Sequence, residues 1–550
     1  MFRLPTIGNE AERLIRNGDG LRSGPELRFH LYCCVPILFH SRRSETLLNT
    51  DFFFSFPNRV AFAMVPPMRE MIQAFWPQFV AAFSLLLSLG TAGHAIIYKR
   101  DSRAAVAWVG LIWLAPFVGP LLYILLGINR VRRRAAGILG EQSAHLASLE
   151  SFACSPMELA AQLPDDRAHL IEMARLHGRL TQLDLLKGNK VEPLYNGDEV
   201  YPAMLEAIEK AERSVTLTTY IFANDRAGHR FVEALSAAVA RGVAVRVLID
   251  SVGARYSIPP VTHRLRMNGV PTARFMPSFL PWFTPYFNLR SHRKILVVDG
   301  RLGFTGGMNI RAGNVLADEP PHPTCDMHFR VTGPVVHELQ ATFVADWQYT
   351  TREVLKGETW FAPLDDVGPV IARAVPDGPD KDYDKMRMAF LGALSVAERS
   401  VRIVTPYFLP DASLISALNT CALRGVQVDI VIPAENNLKM VAWASMAQMW
   451  QILEWGCRVW MTAPPFDHSK LLVVDGAWSL IGSANWDPRS LRLNFELGLE
   501  CYDVALARQL DGHVDELIGE ARPLSLDDVN GRILPVKLRD GMARLFAPYL

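Results

Sequence analysis

The chain has 550 residues and a formal net charge of +1 at pH 7, so its overall charge gives no indication of a nucleic-acid partner. Hydrophobic residues make up 50% of the sequence and the mean hydropathy is +0.11, which is high for a purely soluble protein. The length allows a membrane anchor and two domains of ordinary size. The seven cysteines form no CxxC pair, which indicates buried thiols rather than a zinc site or a disulfide framework.

Residues 1–70 form an N-terminal extension without a motif or a periodic apolar pattern, and we expect it to be poorly ordered. Its apolar stretch FHLYCCVPILFH is too short to span a bilayer and lacks the features of a signal peptide. Two interpretations are open: the extension is cytoplasmic, or the physiological chain starts at Met64, Met68 or Met71. The position of these methionines, directly before the first long apolar run, favours the second.

Two long runs without Asp, Glu, Lys or Arg lie within the segment 71–134, from Phe75 to Ile97 and from Ala104 to Ile128. Each exceeds the ~20 residues that a helix needs to cross a bilayer, so the segment predicts a transmembrane helix hairpin. A pair of buried core helices is the alternative. Basic residues lie in the turn between the runs and, in larger number, after the second run. This distribution favours both ends and the bulk of the chain in the cytoplasm, and we expect a multi-pass protein of the cell (inner) membrane.

Beyond a polar linker over residues 135–186, the chain repeats itself. AERSVTLTTYIF (Ala211 to Phe222) returns as AERSVRIVTPYF (Ala397 to Phe408), and RGVAVRVLID (Arg241 to Asp250) returns as RGVQVDIVIP (Arg424 to Pro433). A period of roughly 180 residues is domain-sized and indicates a duplicated domain, and its alternating helices and strands predict an α/β fold. We expect a first domain at 187–355, an interdomain linker rich in Pro, Gly and Asp at 356–385, a second domain at 386–530 and a C-terminal tail at 531–550.

One polar motif recurs in both halves of the repeat, within RSHRKILVVDG and FDHSKLLVVDG and the residues that follow. The matching positions have identical spacing; they are His292, Lys294, Asp299, Gly306, Gly307 and Asn309, and then His468, Lys470, Asp475, Gly482, Ser483 and Asn485. Side chains two residues apart on a strand share a face, so each histidine is expected to point the same way as its lysine. A single His-x-Lys means little, but two copies with the same spacing are hard to obtain from packing alone.

The residue types of the motif suit phosphate chemistry. Lysine is a point charge and asparagine an amide donor, and small residues let a ligand approach the backbone; we therefore expect phosphate contacts from Asn309, Asn485, Gly307 and Ser483. A histidine that attacks phosphorus is helped by a carboxylate on its far nitrogen, and the next strand of each half offers one, Asp326 or Glu496. Asp299 and Asp475 precede a glycine at a strand end, where a tight turn is expected, so their predicted role is structural.

These residues resemble the phospholipase D superfamily, whose mark is His-x-Lys-x4-Asp followed by Gly-Gly/Ser-x-Asn. The resemblance covers about Gly188 to Leu526. LAPFVGPLLYILLGINR in the second apolar run and SANWDPRSLRLNFE (Ser483 to Glu496) narrow it to the bacterial cardiolipin synthases. It implies a transmembrane hairpin followed by two duplicated phospholipase D-like α/β sandwich domains that form one active site. It also implies a catalytic set, in which the aspartates are included only as part of the signature: His292, Lys294, Asp299, His468, Lys470 and Asp475.

The resemblance further implies the reaction. One histidine attacks the phosphodiester and becomes a phosphohistidine, while the other protonates the leaving alcohol and deprotonates the incoming one, without a metal or another cofactor. Two molecules of phosphatidylglycerol would give cardiolipin and glycerol. The implied partners are phosphatidylglycerol, other anionic phospholipids and the membrane, with no nucleic acid. We favour His292 as the nucleophile; since Asp326 is shorter than Glu496, its expected reach to His292 is the weaker orienting contact.

Two other functions stay open. Water and an alcohol would use the same phosphohistidine, so the motif does not separate a transferase from a phospholipase D-type hydrolase of lipid or nucleic-acid phosphodiesters. The neutral charge and the apolar runs disfavour a nuclease. A membrane scaffold without chemistry is the third possibility, and the two intact motifs disfavour it.

An uncharged aromatic segment, Phe275 to Asn288, directly precedes the first motif. Trp and Tyr are favoured at the headgroup level of a bilayer, so we expect this segment to form a loop that dips into the headgroup region beside the site. A buried connection is the alternative.

Overall fold

The computed structural model of the protein describes residues 68–99, 102–127, 149–277, 289–380 and 382–549. Most of the predicted N-terminal extension, and residues 278–288 of the aromatic segment, therefore lie outside the described residues. The chain divides at Phe75 into two units. The unit Trp76–Leu550 contains all the strands and, apart from the first turns of the first helix, all the helices of the described residues.

The α-helices alternate with strands from residue 186 onward. The helix bounds are α1 Met68–Tyr98, α2 Ser102–Leu114, α3 Val118–Leu122, α4 Pro156–Gln162, α5 Leu170–Thr181, α6 Asn196–Glu209, α7 Arg226–Ala240, α8 Val261–Met267, α9 Val336–Thr351, α10 Lys385–Val396, α11 Ala412–Leu423, α12 Lys439–Met446, α13 Trp450–Leu453, α14 Pro488–Arg492, α15 Val504–Glu520, α16 Leu526–Asn530 and α17 Leu534–Leu545.

The strands fall into two similar sets. In the first half they are β1 Leu186–Tyr195, β2 Ser214–Thr219, β3 Ala244–Asp250, β4 Thr272–Phe275, β5 Arg290–Ser291, β6 Ile295–Val298, β7 Leu302–Gly306, β8 Thr324–Cys325 and β9 Met327–Thr332. In the second half they are β10 Val370–Asp377, β11 Ser400–Val404, β12 Gln427–Pro433, β13 Arg458–Thr462, β14 Phe466–Asp467, β15 Leu471–Val474, β16 Trp478–Gly482, β17 Asn494–Tyr502 and β18 Arg522–Pro523.

Among the described residues, one helix is long and apolar enough to cross a membrane, the Phe75–Tyr98 part of α1. The second apolar run is broken instead of forming a second span. Its first helix, α2, has 13 residues, which at ~1.5 Å per residue reach about 20 Å, short of the ~30 Å hydrocarbon core. The predicted hairpin of two spanning helices is therefore not confirmed.

The break follows from the sequence between α2 and α3. Pro116 lacks a backbone N–H and disfavours helical geometry at the residue before it, so α2 ends. Gly119 then lets the chain turn closely over α2, since a Cβ at this position would lie 2.4 Å from the carbonyl oxygen of Leu111. The alanine, proline and glycine of this stretch thus form a tight bend within the apolar run.

After the bend the chain runs back along α1. The Ser88 hydroxyl faces the Pro116 carbonyl at 3.5 Å, and the Tyr123 hydroxyl meets His94 Nδ1 at 2.8 Å. Lys99 Nζ donates to the Gly127 carbonyl at 2.6 Å. The second run therefore enters beside Lys99, turns near Ser88 and returns to Lys99, which is the course of a re-entrant hairpin.

A single sheet runs through both halves of the repeat, in the order β18-β13-β12-β11-β15-β16-β17-β10-β1-β9-β7-β6-β2-β3-β4, with β5 added beside β17. The order of the second half mirrors that of the first about the antiparallel pair β1 and β10. Helices α6 and α7 cover one face in the first half, α10 and α11 do so in the second, and α9 and α15 lie on a core shared by both. The predicted mixed α/β fold and its duplication are confirmed.

The segment predicted as an interdomain linker, 356–385, contains β10. This strand pairs with β1 on one side and with β17 on the other, at the centre of the sheet. Its residue Arg373 is buried and forms a salt bridge with Glu500. Pro, Gly and Asp around a short apolar run made the sequence resemble a loop, whereas the strand is the second half's counterpart of β1.

Candidate active site

Each motif histidine is carried into the site on a short backbone bridge to the opposite half. Strand β5 pairs with β17, and the His292 N–H donates to the Phe495 carbonyl at 2.8 Å. Strand β14 pairs with β8, and the His468 N–H donates to the Cys325 carbonyl, also at 2.8 Å. These two parallel bridges place the two motifs against each other.

The bridges decide which carboxylate meets which histidine. Glu496 follows Phe495, and its Oε2 lies 3.0 Å from His292 Nδ1. Asp326 follows Cys325, and its Oδ2 lies 2.7 Å from His468 Nδ1. The expected pairing of Asp326 with the histidine of its own half, His292, is therefore corrected: each half supplies the carboxylate for the other half's histidine.

The two imidazoles face one small space. Their ring centroids are 6.5 Å apart with the planes at 76°. Reacting atoms in a poised complex lie about 3–3.5 Å apart, so this separation fits one phosphorus centre between two histidine nitrogens. The space can thus hold a single phosphodiester.

The hydrogen-bond partners define the tautomer of His292. Its Nδ1 meets the Glu496 carboxylate and, at 3.0 Å, the Ser483 carbonyl, and both of these accept. The Nδ1 atom therefore carries the ring proton, and Nε2 keeps its lone pair. Burial lowers the pKa of His292, which favours the neutral ring. A neutral imidazole with a free Nε2 is the form that attacks an electrophile.

His468 has a different environment. Its Nδ1 lies between the Asp326 carboxylate and Lys470 Nζ, which is 3.0 Å away. Burial raises the pKa of Asp326 to about 8 and, together with the charge of Lys470, lowers that of His468 well below its usual value. Burial also lowers the pKa of Lys470 to about 8. Protons can therefore be exchanged within this group near neutral pH, as a general acid and base requires.

Both motif lysines are buried beside their histidines. Lys294 Nζ donates to the His292 carbonyl at 2.7 Å, and Lys470 Nζ donates to the His468 carbonyl. Burial lowers the pKa of Lys294 to about 7. An anion in the space between the histidines would stabilise the two buried lysine charges. The site is therefore suited to a phosphate.

The small residues of the motif make room for the carboxylates. A Cβ on Gly307 would lie 2.3 Å from Asp326 Oδ1, and the Ser483 hydroxyl donates to Glu496 Oε2 at 2.5 Å. The asparagines are also held: Asn309 Oδ1 accepts the Ile221 N–H at 3.0 Å, which leaves its amide nitrogen as a donor. Asn485 Nδ2 faces the Ser490 hydroxyl at 3.2 Å.

Comparison with known proteins agrees with this geometry. The family described as cardiolipin synthase, PLD-like domain, matches residues 204–347 and 390–518, and the family described as phospholipase D-nuclease N-terminal matches residues 80–127. The major cardiolipin synthase ClsA of Bacillus subtilis (strain 168) is 30% identical over 468 residues, which are 83% of this chain and 96% of that protein. The chain belongs to the cardiolipin synthase family.

Other similar proteins extend this result. The cardiolipin synthase of Geobacillus thermodenitrificans (strain NG80-2) is 29% identical over 497 residues, or 89% of this chain and 98% of that protein. The crystal structure of phosphatidylserine synthase from Haemophilus influenzae Rd KW20 superposes with a TM-score of 0.54 at 17% identity, covering 69% of this chain and all of that one. The similarity to the phosphatidylserine synthase structure shows a shared fold only.

The aspartates of the cardiolipin synthase signature lie in turns outside the site. Asp299 and Asp475 have positive φ angles, 52° and 53°. Asp299 Oδ1 accepts the Ser214 N–H at 2.9 Å, and Asp475 Oδ1 accepts the Ser400 N–H at 2.8 Å. Each carboxylate thus fastens a β-hairpin to the start of a neighbouring strand, which agrees with the structural role expected from their turns.

Two tyrosines flank the histidines and were not singled out from the sequence. The Tyr220 ring lies 5.4 Å from the His292 ring, and the Tyr407 ring lies 6.2 Å from the His468 ring. They are offset by one residue in the repeat, since Tyr220 aligns with Pro406 and Tyr407 aligns with Ile221. The repeat therefore gave no shared aromatic position that could have identified them.

Proposed function

We propose that this enzyme transfers the phosphatidyl group of one phosphatidylglycerol to a hydroxyl of a second, forming cardiolipin and releasing glycerol. The observation that carries the proposal is the pair of histidines, 6.5 Å apart, each with a lysine of its own half and a carboxylate of the other. The relatives named cardiolipin synthases, similar over most of the chain, support the same reaction.

In the first step, His292 Nε2 attacks phosphorus and the bond from phosphorus to the glycerol oxygen breaks. His468 Nε2 gives its proton to that oxygen while Nδ1 takes a proton from the adjacent Asp326 or Lys470, so the ring stays neutral, neutral glycerol leaves and the phosphatidyl group stays on His292. The tautomer of His292, held by Glu496 and the Ser483 carbonyl, supports this assignment of the nucleophile. Lys294 and Lys470 neutralise the phosphate oxygens as charge builds up.

In the second step, His468 removes the proton from a glycerol hydroxyl of the acceptor lipid. The resulting oxygen attacks phosphorus, and the bond to His292 Nε2 breaks. Cardiolipin leaves, and both histidines return to their starting states with atoms and charges balanced. Asp326 and Lys470, beside His468 Nδ1, stabilise the proton as it arrives and departs.

The test uses the full-length protein in vesicles of phosphatidylglycerol that carries a label in the terminal glycerol. We expect labelled free glycerol and cardiolipin in equal amounts. Phosphatidic acid in place of cardiolipin would indicate hydrolysis, and a protein without either product would be a scaffold.

We also propose that the chain crosses the cell (inner) membrane once, with the catalytic halves in the cytoplasm. The re-entrant course of the second apolar run supports this, because it returns Gly127, the last described residue of the run, to Lys99. In the sequence, Arg69 precedes α1, whereas more basic residues follow α1 or Gly127; they are Lys99, Arg100, Arg103, Arg130, Arg132, Arg133 and Arg134. Such an excess is typical of the cytoplasmic side.

Epitope tags at the two ends of the full chain test this topology in spheroplasts treated with protease. We expect loss of the N-terminal tag from intact spheroplasts and protection of the C-terminal tag until lysis. Protection of both tags would indicate two crossings instead of one.

A further inference from the structure

The C-terminal helix α17 (Leu534–Leu545) presents an apolar stripe to solvent. Its members are spaced four, four and three residues apart, so they lie on one side of the helix. Each is more than half exposed; they are Leu534, Leu538, Met542 and Leu545. Ile533 and Phe546 extend the stripe at its two ends, with 67% and 54% exposure. A surface helix of a soluble domain normally turns such residues inward.

The inward side of α17 is polar or small. Asp540 is buried, where it accepts hydrogen bonds from Arg532 and Arg539, and Ala543 packs against Ala444 of α12. The polar contacts that hold α17 to the protein are thus satisfied while its apolar side has no cover. Leu438 and Met440, at the start of α12, are also exposed and enlarge the apolar surface.

The border of the stripe is basic. Lys537 and Arg544 are exposed on α17. Asp540 is the one acidic residue in the sequence 531–550, and it is buried and paired. An exposed apolar stripe with a cationic border matches a surface that is apolar beneath and anionic at its headgroups, and such helices lie in the plane of a bilayer.

The position of α17 in the fold also supports contact between its apolar stripe and a bilayer. Lys99, directly after α1, lies near enough to Arg492 of α14 (Pro488–Arg492) for the two positive charges to repel each other. In turn, α14 packs against the 3-10 turn Ala547–Tyr549 that follows α17. The cytoplasmic end proposed for α1 and the helix with the exposed stripe therefore both lie near α14.

We propose that the apolar stripe of α17 lies on the anionic bilayer surface next to the membrane-spanning helix. This second attachment holds the catalytic halves against the headgroups, where a lipid phosphodiester can reach the paired histidines. The attachment goes beyond the anchor formed by α1 and beyond the matched family segments, which end at residue 518.

The direct test places a photo-crosslinking amino acid at Leu538 in the full chain, in vesicles of radiolabelled phosphatidylglycerol. Leu423 of α11, which is 64% exposed against 59% for Leu538, is the control position. We expect a lipid adduct at position 538 and little at position 423. An adduct with a second polypeptide, or equal lipid labelling at both positions, overturns the proposal. This readout does not depend on the reaction, so its failure is distinct from failure of the proposed function.

A functional test replaces one exposed leucine with a charge. Leu538→Asp should lower kcat/KM on phosphatidylglycerol vesicles by about tenfold and leave activity on a short-chain soluble analogue unchanged. Leu423→Asp, an equal change on an exposed surface away from α17, should alter neither activity. Equal effects of Leu538→Asp on vesicles and on the soluble analogue contradict a role in membrane attachment.

Discussion

His292 and His468 occupy matching positions of the repeat, yet their Nδ1 atoms meet different groups. His292 Nδ1 contacts two acceptors, Glu496 and the Ser483 carbonyl, which hold its proton in place. His468 Nδ1 contacts one carboxylate, Asp326, and one amine, Lys470, whose pKa values both lie at about 8. Duplication thus supplied two copies of one motif, and their different surroundings agree with the proposed roles of His292 as nucleophile and His468 as the group that moves a proton.

The two motifs also differ in the residue that stands between the histidine and the lysine. In the first half it is Arg293, which is buried and bonded to Asp346 at 2.8 Å, to the Glu496 carbonyl and to the Asp377 carbonyl. In the second half it is Ser469, which offers no comparable links. The first motif is therefore tied to three other segments, in agreement with a nucleophile that needs a rigid position.

The largest expected effect on activity comes from replacing either histidine, and the two replacements can distinguish the nucleophile from the general acid. His292→Ala and His468→Ala should each lower transfer by about 10³-fold or more. A short-chain substrate with a nitrophenol leaving group needs no proton on departure. His468→Ala should therefore still release nitrophenol in a single burst and retain a phospho-adduct, detected by mass spectrometry, whereas His292→Ala should do neither. A burst in His292→Ala alone would reverse the two roles.

The next largest effects are expected on replacing the two orienting carboxylates, Glu496 and Asp326, and the two replacements should lower kcat by different amounts. Glu496→Gln is expected to lower kcat by about 10²- to 10⁴-fold, because an amide can hold the wrong tautomer of His292. Asp326→Asn should cost about tenfold, since Lys470 also contacts His468 Nδ1. The nitrophenol burst should be slowed in the first variant and kept in the second. Equal burst rates in both would mean that Glu496 and Asp326 do not act on different histidines.

The third prediction concerns stability. Arg293→Met removes the buried guanidinium that neutralises Asp346 and should cost about 3–5 kcal/mol in the free energy of unfolding. Ser469→Ala, the matched change in the second half, should cost about 1 kcal/mol or less. Thermal unfolding of the purified full chain in detergent measures both. Arg293→Met/Asp346→Leu should regain much of the loss, because apolar residues replace a buried ion pair well; no recovery would place the role of Arg293 elsewhere.

The last prediction concerns the dependence of the activity on pH. A lysine is charged below its pKa, so the site loses one cation as the pH rises through about 7, at Lys294, and another through about 8, at Lys470. The kcat/KM, which reports the free enzyme, should therefore fall across this range by about tenfold per pH unit beyond each pKa. Lys294→Arg should remove the lower step alone, because arginine stays charged. A flat profile from pH 6 to 9 would contradict the lowered pKa values.

Much of this molecule could be predicted from the sequence because it depends on local pattern. Matching stretches identify the duplication, and the alternation of helices and strands identifies the α/β class. The spacing of His292 and Lys294, and the aspartate-glycine turns, identify the motif positions. The long uncharged run identifies the part of α1 that is long and apolar enough to cross a membrane. Each of these inferences uses the order of residues along the chain and needs no knowledge of which distant residues meet.

The tertiary structure alone decided which groups meet. Glu496 and His292 are 204 positions apart, and Asp326 and His468 are 142 apart, so the exchange between halves follows from the bridges of β5 to β17 and of β14 to β8. The return of the second apolar run to Lys99, the central place of β10 and the outward stripe of α17 are decided in the same way. The period of a helix or strand specifies which side chains share a face, whereas the partner of that face is set by long-range packing.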